Sequence, residues 1–305
     1  MSVPNSQPDS ASAARARPVE RIALRGDLLD FTGDPGFDLD SAVVRFRPDH
    51  WMWMEGGRIV GVSPGTQPPP ESFEQRLHNG RLLMPGFIDA HVHSPQLDVI
   101  AAYGTELLDW LETHTFPAEQ RQADPLVARA TAERFSQALL AHGTTAAAVF
   151  PTVHKVSADA LFESAANRGM RILTGKVLMD RHAPPGLVDT VETAERDSVD
   201  LLERWHGQGR SSYAHTVRFA PTSTPSQLRL AARLLETWPG SYLQTHVAEN
   251  RAEVQWVAEL FPQSRSYLSV YADHGLLGDR SILAHGIWFD EVDRALLGRC
   301  RSVVA

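Results

Sequence analysis

In "PGFIDAHVHSPQ", residues 85–96, His91 and His93 lie one residue apart at the end of a short apolar run. Residues i and i+2 of a strand point to the same side. The two imidazoles therefore face one space, as a metal bound at a strand end requires. A pair of hydrogen-bonded core histidines is the plain alternative, since a lone His-x-His recurs often by chance. Two later runs sharpen the reading. "QTHVAEN" ends a strand with His246 and places Glu249 three residues on, and "LAHG" ends the next strand with His285. Imidazoles around an open position make a catalytic rather than a structural zinc pattern. A metal so held lowers the pKa of bound water to about 7 and makes a nucleophile. Glu249 stands where it would take the water's proton and return it to a leaving group. An acid in the first turn of a helix is also favoured by the helix dipole, and the two roles are compatible. Arg218 begins "RFAPTST" in a run that reads as a buried strand, where a guanidinium needs a partner. Gln96 follows His93 by three residues. The planar groups of Gln96 and Arg218 suit the edge of a nucleobase, and Phe219 would pack on a ring face or in the core. The other nine histidines read as loop or helix residues, with His154 the nearest of them to a strand end.

The elements that must position these residues alternate. After Pro85, the apolar runs "GFIDAHVH", "TTAAAVFPT", "RILTGKVLM", "VRFAPTST", "SYLQTHVAEN", "SILAHGIWF" and "SVVA" are separated by helical segments. Asp124-Pro125 opens a helix that Gly143 closes, and Ser157 opens one that Gly169 closes. "TPSQ" at 224–227 has the capping-box form with Pro at the first helical position, and "NRAE" at 250–253 is a weaker version. Such alternation predicts a parallel α/β fold. No Gly-x-Gly-x-x-Gly follows the first strand, which weakens a dinucleotide-binding sheet. The polar residues cluster at C-terminal strand ends, where TIM-type barrels build their sites. Residues 21–84 read as β-rich, with "WMWMEGGRIVGVSPG" forming two strands about a Gly56-Gly57 turn. The expected layout is a disordered tail over 1–18, a β-sandwich part over 19–84 and a barrel over 85–305.

Composition excludes several classes. A net charge of −8 argues against a polyanionic nucleic-acid partner. The single cysteine, Cys300, forbids an intramolecular disulfide and removes the Pro-Cys-x-x-Cys zinc pair of one class of nucleobase deaminase. No apolar run reaches membrane-spanning length and no signal-peptide pattern opens the chain, so a cytoplasmic location is expected.

The histidine motif resembles the opening metal motif of the amidohydrolase superfamily. Together with "LLDWLETHTFPAE", "GKVLMDR", "DSVDLLERWHGQGR", "RFAPTST", "QTHVAENRAEVQWV", "RSYLSVY" and "LAHGIW", it resembles the guanine deaminase family within that superfamily. The resemblance runs from about residue 21 to the last residue. It implies a (β/α)₈ barrel with a small β-sandwich and zinc-dependent hydrolysis of guanine to xanthine and ammonia, a reaction on a carbon–nitrogen bond of a cyclic amidine. One zinc per chain is implied, with iron the alternative, and so is a homodimer. His91, His93 and His246 match the metal ligands, and Glu249 the proton shuttle. His285 matches the residue that contacts the reacting water or polarises the site, and Gln96, Arg218 and Phe219 match the purine-holding positions. One family feature has no counterpart. The Asp that the last barrel strand supplies is absent, because the chain stops at "SVVA", in the seventh strand by this count. Asp290 and Asp293 do not fit the motif. An incomplete barrel of about seven strands, with a weakened site, is therefore expected.

Three other readings stand beside this one. Another mononuclear amidohydrolase, a deaminase or chlorohydrolase of a related heterocycle, shares the histidine and glutamate pattern. A binuclear enzyme with a carboxylated lysine has only Lys155 and Lys176 to draw on. A non-catalytic purine-binding remnant would bind without turnover.

Overall fold

A computed structural model describes residues 20–36, 42–104 and 106–305. The tail expected over 1–18 lies outside the described residues. The chain divides into two compact units, Met1–Pro85 and Gly86–Ala305.

The first unit is a four-stranded sheet built from β1 (Arg21–Phe31), β2 (Val44–Glu55), β3 (Arg58–Pro64) and β4 (Glu74–Leu83), in the order β3-β2-β1-β4. It is a single sheet, where a β-sandwich part was expected over 19–84. β2 and β3 are the two strands expected about Gly56 and Gly57. Both glycines have positive φ, 57° and 76°, as a two-residue hairpin turn with the right twist demands. Ala23, Leu28 and Trp51 are buried in this unit.

The second unit is a parallel sheet with helical connections. Its strands are β5 (Phe87–His93), β6 (Thr144–Phe150), β7 (Arg171–Thr174), β8 (Val177–Leu178), β9 (Ser211–Phe219), β10 (Tyr242–Val247), β11 (Ser281–His285) and β12 (Val303–Val304). The sheet order is β5-β6-β7-β9-β10-β11-β12, with β8 also paired to β9. Every pairing in it is parallel. Each strand lies beside its predecessor and the order never reverses. A doubly wound sheet needs a reversal point, so this is the winding of a barrel. The sheet is a curled half-barrel with β5 and β12 at its edges. The third apolar run, read as one strand, divides into β7 and β8. Gly175 lies at the break, where an added Cβ would come within 2.2 Å of the Ala214 carbonyl oxygen.

Between β5 and β6 the chain makes a 3₁₀ turn (Ser94–Val99), α1 (Leu107–Trp110), a π-helical turn (Leu111–Thr115), α2 (Phe116–Gln120) and α3 (Pro125–Ala141). The later connections carry α4 (Lys155–Asn167), α5 (Val191–Trp205), α6 (Pro225–Thr237), α7 (Arg251–Leu260), α8 (Tyr267–Asp273) and α9 (Glu291–Cys300). The capping chemistry read from the sequence is largely present. Asp124 accepts from the Leu126 amide, and Thr224 from the Gln227 amide. Asn250 and Glu253 form a full capping box. The expected start of α4 at Ser157 is corrected. The helix begins at Lys155 with His154 in the cap position, and Ser157 is a buried residue of its first turns.

Strand β9 is buried along its whole length. Two apolar clusters wrap the sheet. One gathers Leu228, Leu243, Val257, Leu268 and Leu283, and the other Phe135, Val149, Phe162, Ile172 and Leu201. These fix the strand ends, and with them the site.

Candidate metal centre

His91 and His93 lie on β5, His246 is the penultimate residue of β10, and His285 is the last residue of β11. Three strands separate β5 from β10 in the sheet. Nevertheless His93 Nε2 lies 2.9 Å from His246 Nε2. Only a curled sheet brings these ends together, so the site depends directly on barrel curvature. The ligand nitrogens of His91, His93 and His246 all lie within 4.8 Å of one another. Among the described residues this trio is the one such cluster of potential ligands.

Tautomer and protonation state suit a metal. His246 Nδ1 is 2.6 Å from the Arg218 carbonyl oxygen. A carbonyl only accepts, so Nδ1 carries the proton and Nε2 is left with a lone pair facing the cluster. Burial, helped by Arg218 and the neighbouring rings, holds the His93 imidazole well below its ordinary pKa. Burial, then His91 and Arg218, does the same for His246. His91 is brought down to about 4 by burial, with His285 and Arg218 contributing. Neutral imidazoles are the form that binds a cation. The trio therefore fits a divalent metal. Phe150, at the end of β6, floors it. Its ring stacks on His93 at 4.8 Å and 21°, and meets His91 edge-on at 5.1 Å.

A cavity of about 470 Å³ opens over the trio. All eight residues singled out in the sequence line it, namely His91, His93, Gln96, Arg218, Phe219, His246, Glu249 and His285. Glu249 lies two residues beyond β10, after Ala248 in the left-handed region at φ 48°. His285 is also left-handed, at φ 77°, and its Nε2 is 3.3 Å from Glu249 Oε2. Such backbone outliers collect at sites whose surroundings over-determine them. Burial pushes the Glu249 carboxyl up from its ordinary value, against the pull of Arg218. Burial lowers the His285 imidazole. The Glu249 backbone is itself anchored. Glu253 Oε2 accepts from the amides of Glu249 and Asn250, and Glu253 Oε1 from the Tyr267 hydroxyl at 2.7 Å.

The remaining wall comes from the β5–β6 connection, through Gly104, Glu106, Leu107, Trp110 and Leu111. Trp110 packs so closely on Gly104 that an added Cβ there would lie 2.5 Å from the indole. The sequence reading missed this wall. Its clue was the long apolar and aromatic "LLDWL" after the histidine motif, but short helical pieces around a π-turn leave no regular period. It also missed Glu119. On α2, that carboxylate is fully buried and accepts from Arg218 Nη1 at 2.5 Å. The salt bridge offered as the plain alternative for Arg218 thus exists beside its place in the cavity wall.

The residues left aside stay apart from the trio. His154 lines a separate cavity with Lys176 and Asp189. Lys176 is buried against Asp189 in an ion pair, so it is not free to bridge metals. Asp290 caps α9, and Asp293 is paired with Arg265.

Comparison with known proteins agrees with this architecture. Residues 82–302 match the model of the Amidohydrolase family. A guanine deaminase of Escherichia coli is 42% identical over 288 residues, covering 93% of this chain and 65% of that protein. The chain thus spans just under two thirds of that relative's length. The structure of an E. coli guanine deaminase superposes with a TM-score of 0.90 at 40% identity, covering 93% of this chain and 66% of that one. A guanine deaminase of C. acetobutylicum with guanine in its active site superposes at 0.83 and 26% identity, covering 93% and 67%.

Proposed function

The chain belongs to the amidohydrolase family, and from that premise we propose that its histidine trio holds one zinc ion and that its cavity hydrolyses guanine to xanthine and ammonia. The observation that carries this reading is the shared cavity. Three neutral imidazoles, a carboxyl with a raised pKa and two planar hydrogen-bonding groups line one space of about 470 Å³. The likeness to guanine deaminases over 93% of the chain supports the choice of ligand. The donor set of imidazoles suits zinc, and iron is the metal to test against it.

When bound, the metal supplies Lewis acidity that brings the pKa of water towards neutrality. The chain's own residues do the rest. Gln96 and Arg218 present donors to the purine edge, and Phe219 packs against the ring. This aims the carbon that bears the exocyclic amine at the trio. Glu249, as the carboxylate that nearby Arg218 favours, takes a proton from the attacking water and passes it to ring nitrogen. It then takes the remaining proton from the added hydroxyl and delivers it to the departing amine, so that C=O forms as the C–N bond breaks. His285, beside Glu249, holds the water and the carboxyl in line. Oxygen from water replaces nitrogen, and ammonia leaves. Trp110 and Leu111 give the cavity an apolar wall beside the ring.

The test is ammonia release from guanine, measured with the metal content of the same sample. Turnover at one zinc per chain supports the reading. A folded, metal-loaded chain that releases no ammonia from guanine would remove the activity while leaving the metal site standing.

A further inference from the structure

Arg218 is the one permanently charged cation among the described residues lining the cavity. Its partner is not in the cavity lining. Glu119, on α2 in the β5–β6 connection, accepts from Nη1 at 2.5 Å, and the Arg218 and Glu119 side chains are 3% and 0% exposed. Among the described residues no other side chain hydrogen-bonds the guanidinium, and Glu119 Oε2 is buried with no partner of its own. Oε1 of this carboxylate is thus committed to one arginine, whose charge opposes the burial that pushes the carboxyl up. An unpaired guanidinium beside an apolar wall would attract any small anion. A paired one keeps its N–H donors and its planar direction while its charge is cancelled locally.

We propose that Glu119 is a positioning residue that fixes the Arg218 guanidinium and cancels its charge, so that the cavity accepts a neutral heterocycle and rejects an anionic one. Nη1 is held on the α2 side, which leaves the other N–H donors of this cavity-lining residue uncommitted to any side chain among the described residues. The inference rests on the purine reading for the identity of the ligand, but not for the charge selection.

The test compares the metal-loaded full chain with Glu119→Gln, which keeps the shape and one hydrogen-bonding oxygen but removes the charge. Binding of hypoxanthine, neutral at neutral pH, and of urate, an anion there, is followed by tryptophan fluorescence. Formate serves as a purine-free anion probe. The expected result is a shift of at least tenfold in the urate-to-hypoxanthine affinity ratio towards urate, with formate binding tightened by a similar factor over wild type. A purely structural role for Glu119 would weaken all three ligands together. An unchanged ratio with unchanged formate binding overturns the proposal. If wild type binds neither purine, the purine reading fails, and the formate comparison alone decides on Glu119. Should Glu119→Gln not fold, Glu119→Asp takes its place, because its shorter reach loosens the pair. Formate binding several-fold tighter than wild type is then expected, and equal binding overturns the proposal.

Discussion

Each side chain around the trio has a distinct physical task. His246 is oriented by a backbone carbonyl, His93 by stacking on Phe150, and Glu249 by a left-handed residue before it and an anchored amide. Glu249 is a cavity-lining carboxyl that burial pushes up from its ordinary value. Under the proposed reaction, Glu249→Gln should lower kcat by about 10²–10⁴, the usual worth of a general acid–base group. Its zinc content should match wild type. Loss of metal along with activity would show that Glu249 is a ligand and not a shuttle. The eight residues that meet in the cavity were legible in the sequence because their types are chemical and each falls at or near an apolar strand end. Phe150 also ends a strand, but an apolar residue there looks like core. Glu119 gave no signal, since its partner is 99 positions away and only the fold brings them together.

The elements were legible wherever local rules decide them. The caps at Asp124, Thr224 and Asn250, and the glycine pair at 56–57, set their helices and hairpin as short-range chemistry predicts. Two places escaped those rules. The start of α4 moved to Lys155, because the turn before Ser157 is already helical without a side-chain cap. The β5–β6 connection became a run of short helical pieces shaped by packing on Trp110, which no periodicity records. The turn between β10 and α7 shows what capping adds to function. Glu253 closes the capping box and ties down the Glu249 and Asn250 amides. Glu253→Ala leaves those donors and the Tyr267 hydroxyl without their acceptor, at a cost of about 1–3 kcal/mol. Urea unfolding should show that loss, and under the proposed reaction guanine turnover should fall because Glu249 loses its anchor. Full stability in Glu253→Ala would refute the anchoring role.

At the scale of the molecule, the half-barrel curls far enough to bring the end of its first strand onto the end of its fifth. Buried neutral imidazoles have a consequence for stability. His215, 1% exposed and bonded to Ser241 Oγ, has its pKa brought down to about 3 by burial. In the unfolded chain it titrates near its ordinary value of about 6.5. Between those values the unfolded state holds the extra proton, so stability falls as pH drops through that window. The slope is about 1.4 kcal/mol per pH unit for this one group. His215→Gln should flatten the acid limb of a stability–pH curve, and an unchanged limb would exclude His215 as its source. Metal adds a second term. A cation that binds only the folded trio raises the melting temperature in proportion to the logarithm of its concentration over Kd. A chelator should therefore lower Tm, and zinc should restore it. A melting temperature indifferent to both would mean that the trio holds no metal. The contact between Arg218 and His246 has a longer reach. The side chain of residue 218 lines the cavity, while its carbonyl sets the tautomer of His246. Every amino acid brings the same carbonyl. A substitution at position 218 can therefore remodel the cavity wall while the hydrogen bond that orients His246 stays in place.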